Sequence, residues 1–351
     1  MPNPRAFHLA PLGALTLLTA SACAALGAAE AAPVAPATTA PATAVATAPA
    51  TSAAALPTFQ PLAPEAIGKD RARWALPTDA INPDSLGSLK IHAETTIDDD
   101  CMAKAGFPEF TPTWDAFAPA PAFYSPSGRP VFNPESAKLY GYRNAPDPRN
   151  QRTEADYQAL DSLPKAYQEA LSECTSGGIE VPGVGEEEKQ RDAEIMENLD
   201  NPEKLAALLE NQTPTIHSQL NRLQVDASTP ELTAAAAAWR ECMSPLGIAD
   251  LPERPWVFMN PGEAPESLMN QWEWRPTGQA SADEIRVASH DAQCRESSGW
   301  SERFYDAEWK LHSEFIANNK AEIENILEEN KLKAEYYLAA IEQRTRSPQV
   351  P

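Results

Sequence analysis

The longest unbroken periodic stretch of the chain runs from Ser301 to about Arg344 and contains neither Pro nor Gly. Ile316, Ile323 and Tyr337 recur at seven-residue spacing with Asn330 in the same register. Ile326, Leu327, Leu338 and Ile341 fill a neighbouring stripe. The pattern predicts a long amphipathic helix, partly heptad-like, about 65 Å in length at roughly 1.5 Å per residue. Such a helix either packs along its own domain or projects to meet a partner helix. Other helices are predicted from their start signals. Thr229 is an N-cap, Pro230 fits the first helical position, and the Ala-rich run to Met243 follows, closed by Gly247. Ser281 caps a segment reaching Cys294, with Glu284 placed to complete a capping box. Residues 186 to 224 carry apolar positions at Met196, Leu199, Leu205, Leu208, Leu209, Leu220 and Leu223. They predict amphipathic helices that break at Asn201-Pro202 and near Thr213-Pro214. Strand signals are weak, so the fold class expected is mostly α with long Pro-rich loops.

The N-terminal pattern is different. Arg5 and His8 precede an apolar run from Leu9 to about Leu18, followed by Thr19, Ala20, Ser21 and Ala22. That order of parts predicts a secretory leader over residues 1–22. The run is shorter than the roughly 20 apolar residues needed to span a bilayer. Cys23 follows. The stretch Leu18-Thr19-Ala20-Ser21-Ala22-Cys23 resembles a bacterial lipobox, with Ala20 where Leu is usual, and Cys23 is the expected lipidation site. Ala20-Ser21-Ala22 and Ala29-Glu30-Ala31 also read as ordinary signal-peptidase sites, which leaves plain secretion as the alternative. With several acyl chains on Cys23 the protein would be held stably at the membrane surface. From Ala31 to Pro57 the chain is almost wholly Ala, Pro, Thr, Val and Ser. It cannot bury enough apolar surface to fold. Residues 23–57 are thus expected to be a lipid attachment followed by a Pro-stiffened tether of some 80 Å when extended.

Five cysteines are present. With Cys23 assigned to the lipid, Cys101, Cys174, Cys242 and Cys294 remain, an even number suited to disulfides in an exported chain. An internal repeat narrows the pairing. Cys101-Met102, then Gly106-Phe107, matches Cys242-Met243, then Gly247-Ile248. A Trp follows each block (Trp114, Trp256), and then a helical segment ends in a second cysteine (Cys174, Cys294). Two copies of one unit pair Cys101 with Cys174 and Cys242 with Cys294. Each bond would stabilise by roughly 4 kcal/mol through loop closure. Zinc ligation is disfavoured because the cysteines are far apart in sequence. The expected organisation is a first helical disulfide unit over 58–185, a second over 186–300, a long helix over 301–345 and a tail over 346–351.

No nucleophile elbow, zinc-protease helix, Walker loop or dinucleotide fingerprint occurs, and no motif calls for a cofactor or a metal. His290 and Asp291 are adjacent on a helix and read as exposed surface groups. Glu308 and His312 read as an ordinary helix-face pair. Asp98-Asp99-Asp100 lacks the spacing of a calcium loop and reads as a solvated first helical turn. Trp256, Trp272 and Trp274, with Phe258 and Arg275, form the candidate binding cluster. They are either a stacking platform for a sugar or peptide, or loop packing over helices. Tyr140-Gly141-Tyr142-Arg143 reads as a turn.

Taken together, the two C-M-x3-G units with their downstream Trp, the Tyr140-Gly141-Tyr142 turn, Trp239-Arg240-Glu241-Cys242-Met243 and Ala292-Gln293-Cys294-Arg295 resemble a group of uncharacterised lipoproteins and secreted proteins of actinobacteria, over about residues 85–340. The resemblance implies an accessory role beside membrane transporters and supplies no functional residue. Charge excludes some partners. Without residues 1–22 the chain keeps 27 basic against 50 acidic residues, a net −23. Nucleic acid and anionic lipid surfaces would repel it. The expectation is a tethered, non-enzymatic protein of the cell envelope that meets a membrane protein through the 301–344 helix. The alternatives are a glycan or solute module using the Trp-rich loops, and a hydrolase with an unfamiliar carboxylate pair.

Overall fold

The computed structural model describes residues 59, 61–110, 114–115, 117–150, 162–175, 177–210, 214–256 and 263–345. The expected leader, Cys23, the whole 23–57 tether, Phe258 and the 346–351 tail lie outside them. Among the described residues eleven α-helices follow one another: α1 Asp84–Lys104, α2 Pro134–Tyr140, α3 Lys165–Thr175, α4 Glu186–Glu197, α5 Pro202–Glu210, α6 Ile216–Leu220, α7 Pro230–Met243, α8 Glu266–Gln271, α9 Ala282–Ser297, α10 Trp300–Asn318 and α11 Lys320–Thr345. Among the described residues there is no strand, only two isolated bridges, Trp114 with Asn150 and Tyr124 with Pro130. The mostly α fold with a long C-terminal helix is therefore what the structure has.

Local chemistry explains several boundaries. Thr229 Oγ1 accepts from the Leu232 amide and Pro230 opens α7. Ser281 Oγ accepts from the Glu284 amide at 3.1 Å to open α9. The glycine of each C-M-x3-G block takes positive φ, +96° at Gly106 and +65° at Gly247, a conformation that costs L-residues strain. Each block also buries its methionine fully, Met102 and Met243. The expected disulfides are present, Cys101–Cys174 and Cys242–Cys294. The first ties α1 to α3 and the second ties α7 to α9.

Two readings need correction. The 301–344 run is divided: at Asn319 (φ −119°, ψ 25°) the backbone leaves the helical basin. No Pro or Gly marks the break; Asn318-Asn319 are weak helix formers. The Asp98–Asp100 triplet sits near the C-terminal end of α1, not its first turn. There it opposes the helix dipole, offset in part by the Lys104–Asp100 ion pair at 2.7 Å.

The heptad seam of α11 is filled by its own chain. Ala334, Tyr337 and Ile341 pack against Leu86, Leu89 and Ala93 of α1, together with Val181 and Val184. Asn330 Nδ2 donates to the Ile81 carbonyl at 2.9 Å, and Ile323 joins Ile81, Ile216 and Phe315. The largest core lies elsewhere, between α2, α7, α8 and α9, and combines Ala137 and Tyr142 with Trp239, Met243, Trp256, Leu268 and Val287. Residues of both repeat units thus share a core, and residues 53–351 cluster as one compact unit.

Candidate functional site

The Trp cluster is held by a tight helix end. The Trp272 amide closes α8 on the Leu268 carbonyl, Glu273 turns through φ +44°, and the Trp274 amide returns to the Met269 carbonyl at 3.0 Å. The turn sends both rings of Trp272-Glu273-Trp274 against the core. Trp272 keeps its Nε1 on Asp283 Oδ2 at 3.1 Å. The Asp283 carboxyl is held below the usual carboxylate range by Arg286 and then by Trp272. Trp256 is 3% exposed and Trp274 9%. Trp256 lies edge-on to Trp239 at 5.9 Å and tilted against Tyr142 at 5.4 Å, with the Arg295 guanidinium over its ring at 5.3 Å. The cavity between Tyr142, Trp256, Leu268, Met269, Trp272 and Trp274 measures about 10 Å³, room for about one water. Of the two readings of these tryptophans, packing is the one that the burial of Trp256 and Trp274 matches, with Trp272 half-buried against the same core.

Two carboxylates that sequence reasoning placed at the surface or in a cap lie inside this core. Asp291 and Glu284 are both 0% exposed. Asp291 Oδ1 accepts from Trp239 Nε1 at 2.7 Å and Arg295 Nε at 2.9 Å; its Oδ2 accepts from Arg295 Nη2 at 2.9 Å and the Tyr142 hydroxyl at 3.1 Å. Glu284 Oε1 accepts from the Tyr142 amide at 3.2 Å and Oε2 from Arg143 Nε at 3.1 Å. Its side chain is thus spent on Arg143 and Tyr142, on the first repeat unit. Burial, and next the Asp291 charge, push the Tyr142 hydroxyl far above its ordinary range. Gly141 makes the approach possible: at φ +61°, an added Cβ would stand 2.9 Å from Ala280 Cβ and 3.1 Å from Glu284 Cγ. Tyr140-Gly141-Tyr142-Arg143 is a turn, as expected, and also the plug that joins the units. A signal for this existed. Glu284 and Asp291 share the α9 stripe of Val287, Ala288 and Cys294, so polar residues occupied core positions.

The Glu308–His312 pair is also more than surface. His312 Nδ1 lies 2.6 Å from Thr78 Oγ1. Glu308 Oε2 accepts from Trp74 Nε1 at 2.6 Å, and Arg129 reaches both Glu308 (3.8 Å) and Asp79 (3.3 Å). Burial, with Arg129 adding to it, lowers the His312 imidazole to about 4, and burial raises the Glu308 carboxyl. A hydroxyl, an imidazole and a carboxylate in sequence suggest nucleophile activation. Thr78 is buried, however, and the cluster fastens the Pro77–Ala80 turn to α10. His290 bonds the Cys242 carbonyl through Nε2 at 2.9 Å and lies near both sulfurs of the second disulfide. Those sulfurs are joined to each other and supply no thiolate. Among the described residues no other group of His, Cys, Asp or Glu converges in this way.

No family profile matches the chain, and no curated protein or solved structure matches it. The resemblance to the actinobacterial lipoprotein group rests on its motifs alone.

Proposed function

We propose that the chain is a membrane-tethered protein of the extracytoplasmic face, anchored through Cys23, with a non-enzymatic accessory role beside a membrane protein. The observation that carries the reading is the pair of long-range disulfides in a body that stands behind a leader, a cysteine and an uncharged Ala/Pro/Thr spacer. Disulfides persist in oxidising compartments, and among the described residues no helix is long and apolar enough to cross a membrane. The non-enzymatic part is supported by how the chemistry-bearing residues are used. Asp291, Glu284 and His312 are buried and bonded to structural partners. The test is metabolic labelling of the full chain with an alkyne fatty acid, together with proximity cross-linking in native membranes. Label on the wild type, none on Cys23→Ala, and one reproducible membrane partner are expected. Equal label on both proteins, or no partner above background, would overturn the reading.

A further inference from the structure

Helices α4 and α5 stand apart from every core described above. None of their described side chains is buried, and none of those described joins a buried apolar cluster. Yet they carry apolar positions at helical spacing. Ile195, Met196 and Leu199 lie at the end of α4, with Met196 66% and Leu199 52% exposed, and Leu205 and Leu208 are one turn apart on α5. Helices of 12 and 9 residues are too short to be stable in water by propensity alone, since nucleation is costly and packing normally supplies the balance. The chain fixes the ends of the segment, Val184 against α1 and α11 and Ile216 against Phe315 and Ile323, while between them Met196 and Leu199 stay exposed and Ile195, Leu205 and Leu208 are half-buried. This connector is not one long loop: α4 and α5 occupy most of it and the links around them are short.

Charge selects the occupant. Residues 186–210 hold nine acidic residues against three basic ones, a net −6. A second copy of this chain, itself at −22, would be repelled, and so would an anionic bilayer. The chain's own 31–57 tether has no charge to offer. We infer that residues 186–210 are a docking arm for a basic amphipathic helix of a partner protein. Met196, Leu199, Leu205 and Leu208 receive the apolar stripe, and the arm's carboxylates flank the partner's Lys or Arg residues. The inference deepens the accessory reading and moves its contact surface from the 301–344 helix, whose seam is occupied, to the connector.

The experiment titrates the full chain, at about 0.15 M salt, with a synthetic Lys/Leu peptide of about 18 residues patterned for one apolar helical face. A scrambled peptide of the same composition is the control. Amide hydrogen exchange over 186–210 is followed in both titrations. The patterned peptide is expected to bind at least about tenfold more tightly and to slow exchange in the arm. The double variant Met196→Glu/Leu199→Glu should lose both effects without a change in thermal midpoint. Equal binding of the scrambled peptide reduces the arm to a charge effect and overturns the inference. So does absence of binding, or protection centred elsewhere, for example around the exposed Leu332 and Tyr336 of α11. The two readings fail separately. A membrane partner cross-linked through another surface sinks the arm and keeps the accessory role. Peptide docking with no membrane partner does the reverse.

Discussion

Replacing Asp291 by Ala should be among the most damaging single changes in this protein. The carboxylate is fully buried and accepts four hydrogen bonds, one from Trp239, one from Tyr142 and two from Arg295. Removing it leaves Arg295 as an uncompensated charge whose side chain is 13% exposed. Breaking a buried pair from one side costs about 3–5 kcal/mol. The orphaned Trp239 and Tyr142 donors add about 1–3 kcal/mol each where water cannot reach them. Relaxation of Arg295 toward solvent recovers part of this, so the net loss is set at about 5 kcal/mol. That is a third or more of the stability of a typical domain. Asp291→Asn keeps one acceptor oxygen and the shape, and should lose about half as much. The assay is urea unfolding with disulfides intact, followed by Trp fluorescence and far-ultraviolet circular dichroism, with the slope checked for constancy. A loss below about 1 kcal/mol for Asp291→Ala would show that the network contributes little, and that Tyr142 seats by apolar packing alone.

Three further outcomes follow from the same geometry. Gly141→Ala should destabilise by about 2–3 kcal/mol through its positive φ and the close Ala280 and Glu284 contacts; an unchanged midpoint would mean that the 140–143 turn shifts freely. Cys→Ala replacement of the Cys242–Cys294 pair should lower the midpoint more than replacement of Cys101–Cys174. Loop-closure entropy alone favours the opposite order, because the sequence separations are 52 and 73, while Cys294 lies in the largest core and Cys101–Cys174 in a small satellite. His312 has its folded-state pKa depressed to about 4, so its contribution is full above the unfolded value of about 6.5. It is lost as pH falls from there toward 4, because only the unfolded state takes up the proton. Between pH 7 and 4, wild type should lose about 2 kcal/mol more than His312→Gln, after discounting for solvent screening; parallel pH profiles would show that Glu308 and Arg129 compensate the imidazole.

How much could be read from the sequence depended on the range of each signal. Thr229 and Ser281 declare helix starts by bonds within one turn, and both do so in the structure. The disulfides were legible because a repeated block supplied the pairing that spacing alone does not. What escaped was long-range. Asp291 looks like any acid on an amphipathic helix until Tyr142, 149 residues away, is brought to it. The break at Asn319 carries no Pro or Gly to announce it. Asp98 was placed at the wrong end of its helix, because an acidic triplet looks like a first helical turn, whereas α1 already starts at Asp84. Burial, with Glu94 beside it, then holds the Asp98 carboxyl at about 6, a shift that no local pattern foretells.

The repeat also bears on where function can reside. Both units bury a methionine after the first cysteine, turn at a positive-φ glycine and stack a tryptophan under an arginine, Trp114 with Arg149 at 4.9 Å and Trp256 with Arg295 at 5.3 Å. The arginines come from different places, a loop in the first unit and α9 in the second, so what is repeated is the packing device. The shared features serve packing: Met102 and Met243 are fully buried, and each cysteine pair ties two helices. The second unit adds Glu284 and Asp291, and both are used up in seating Tyr142 and Arg143 of the first. Among the described residues, the segment that joins none of the buried clusters and carries exposed apolar side chains is the acidic one of α4 and α5, which is where the inference above places recognition.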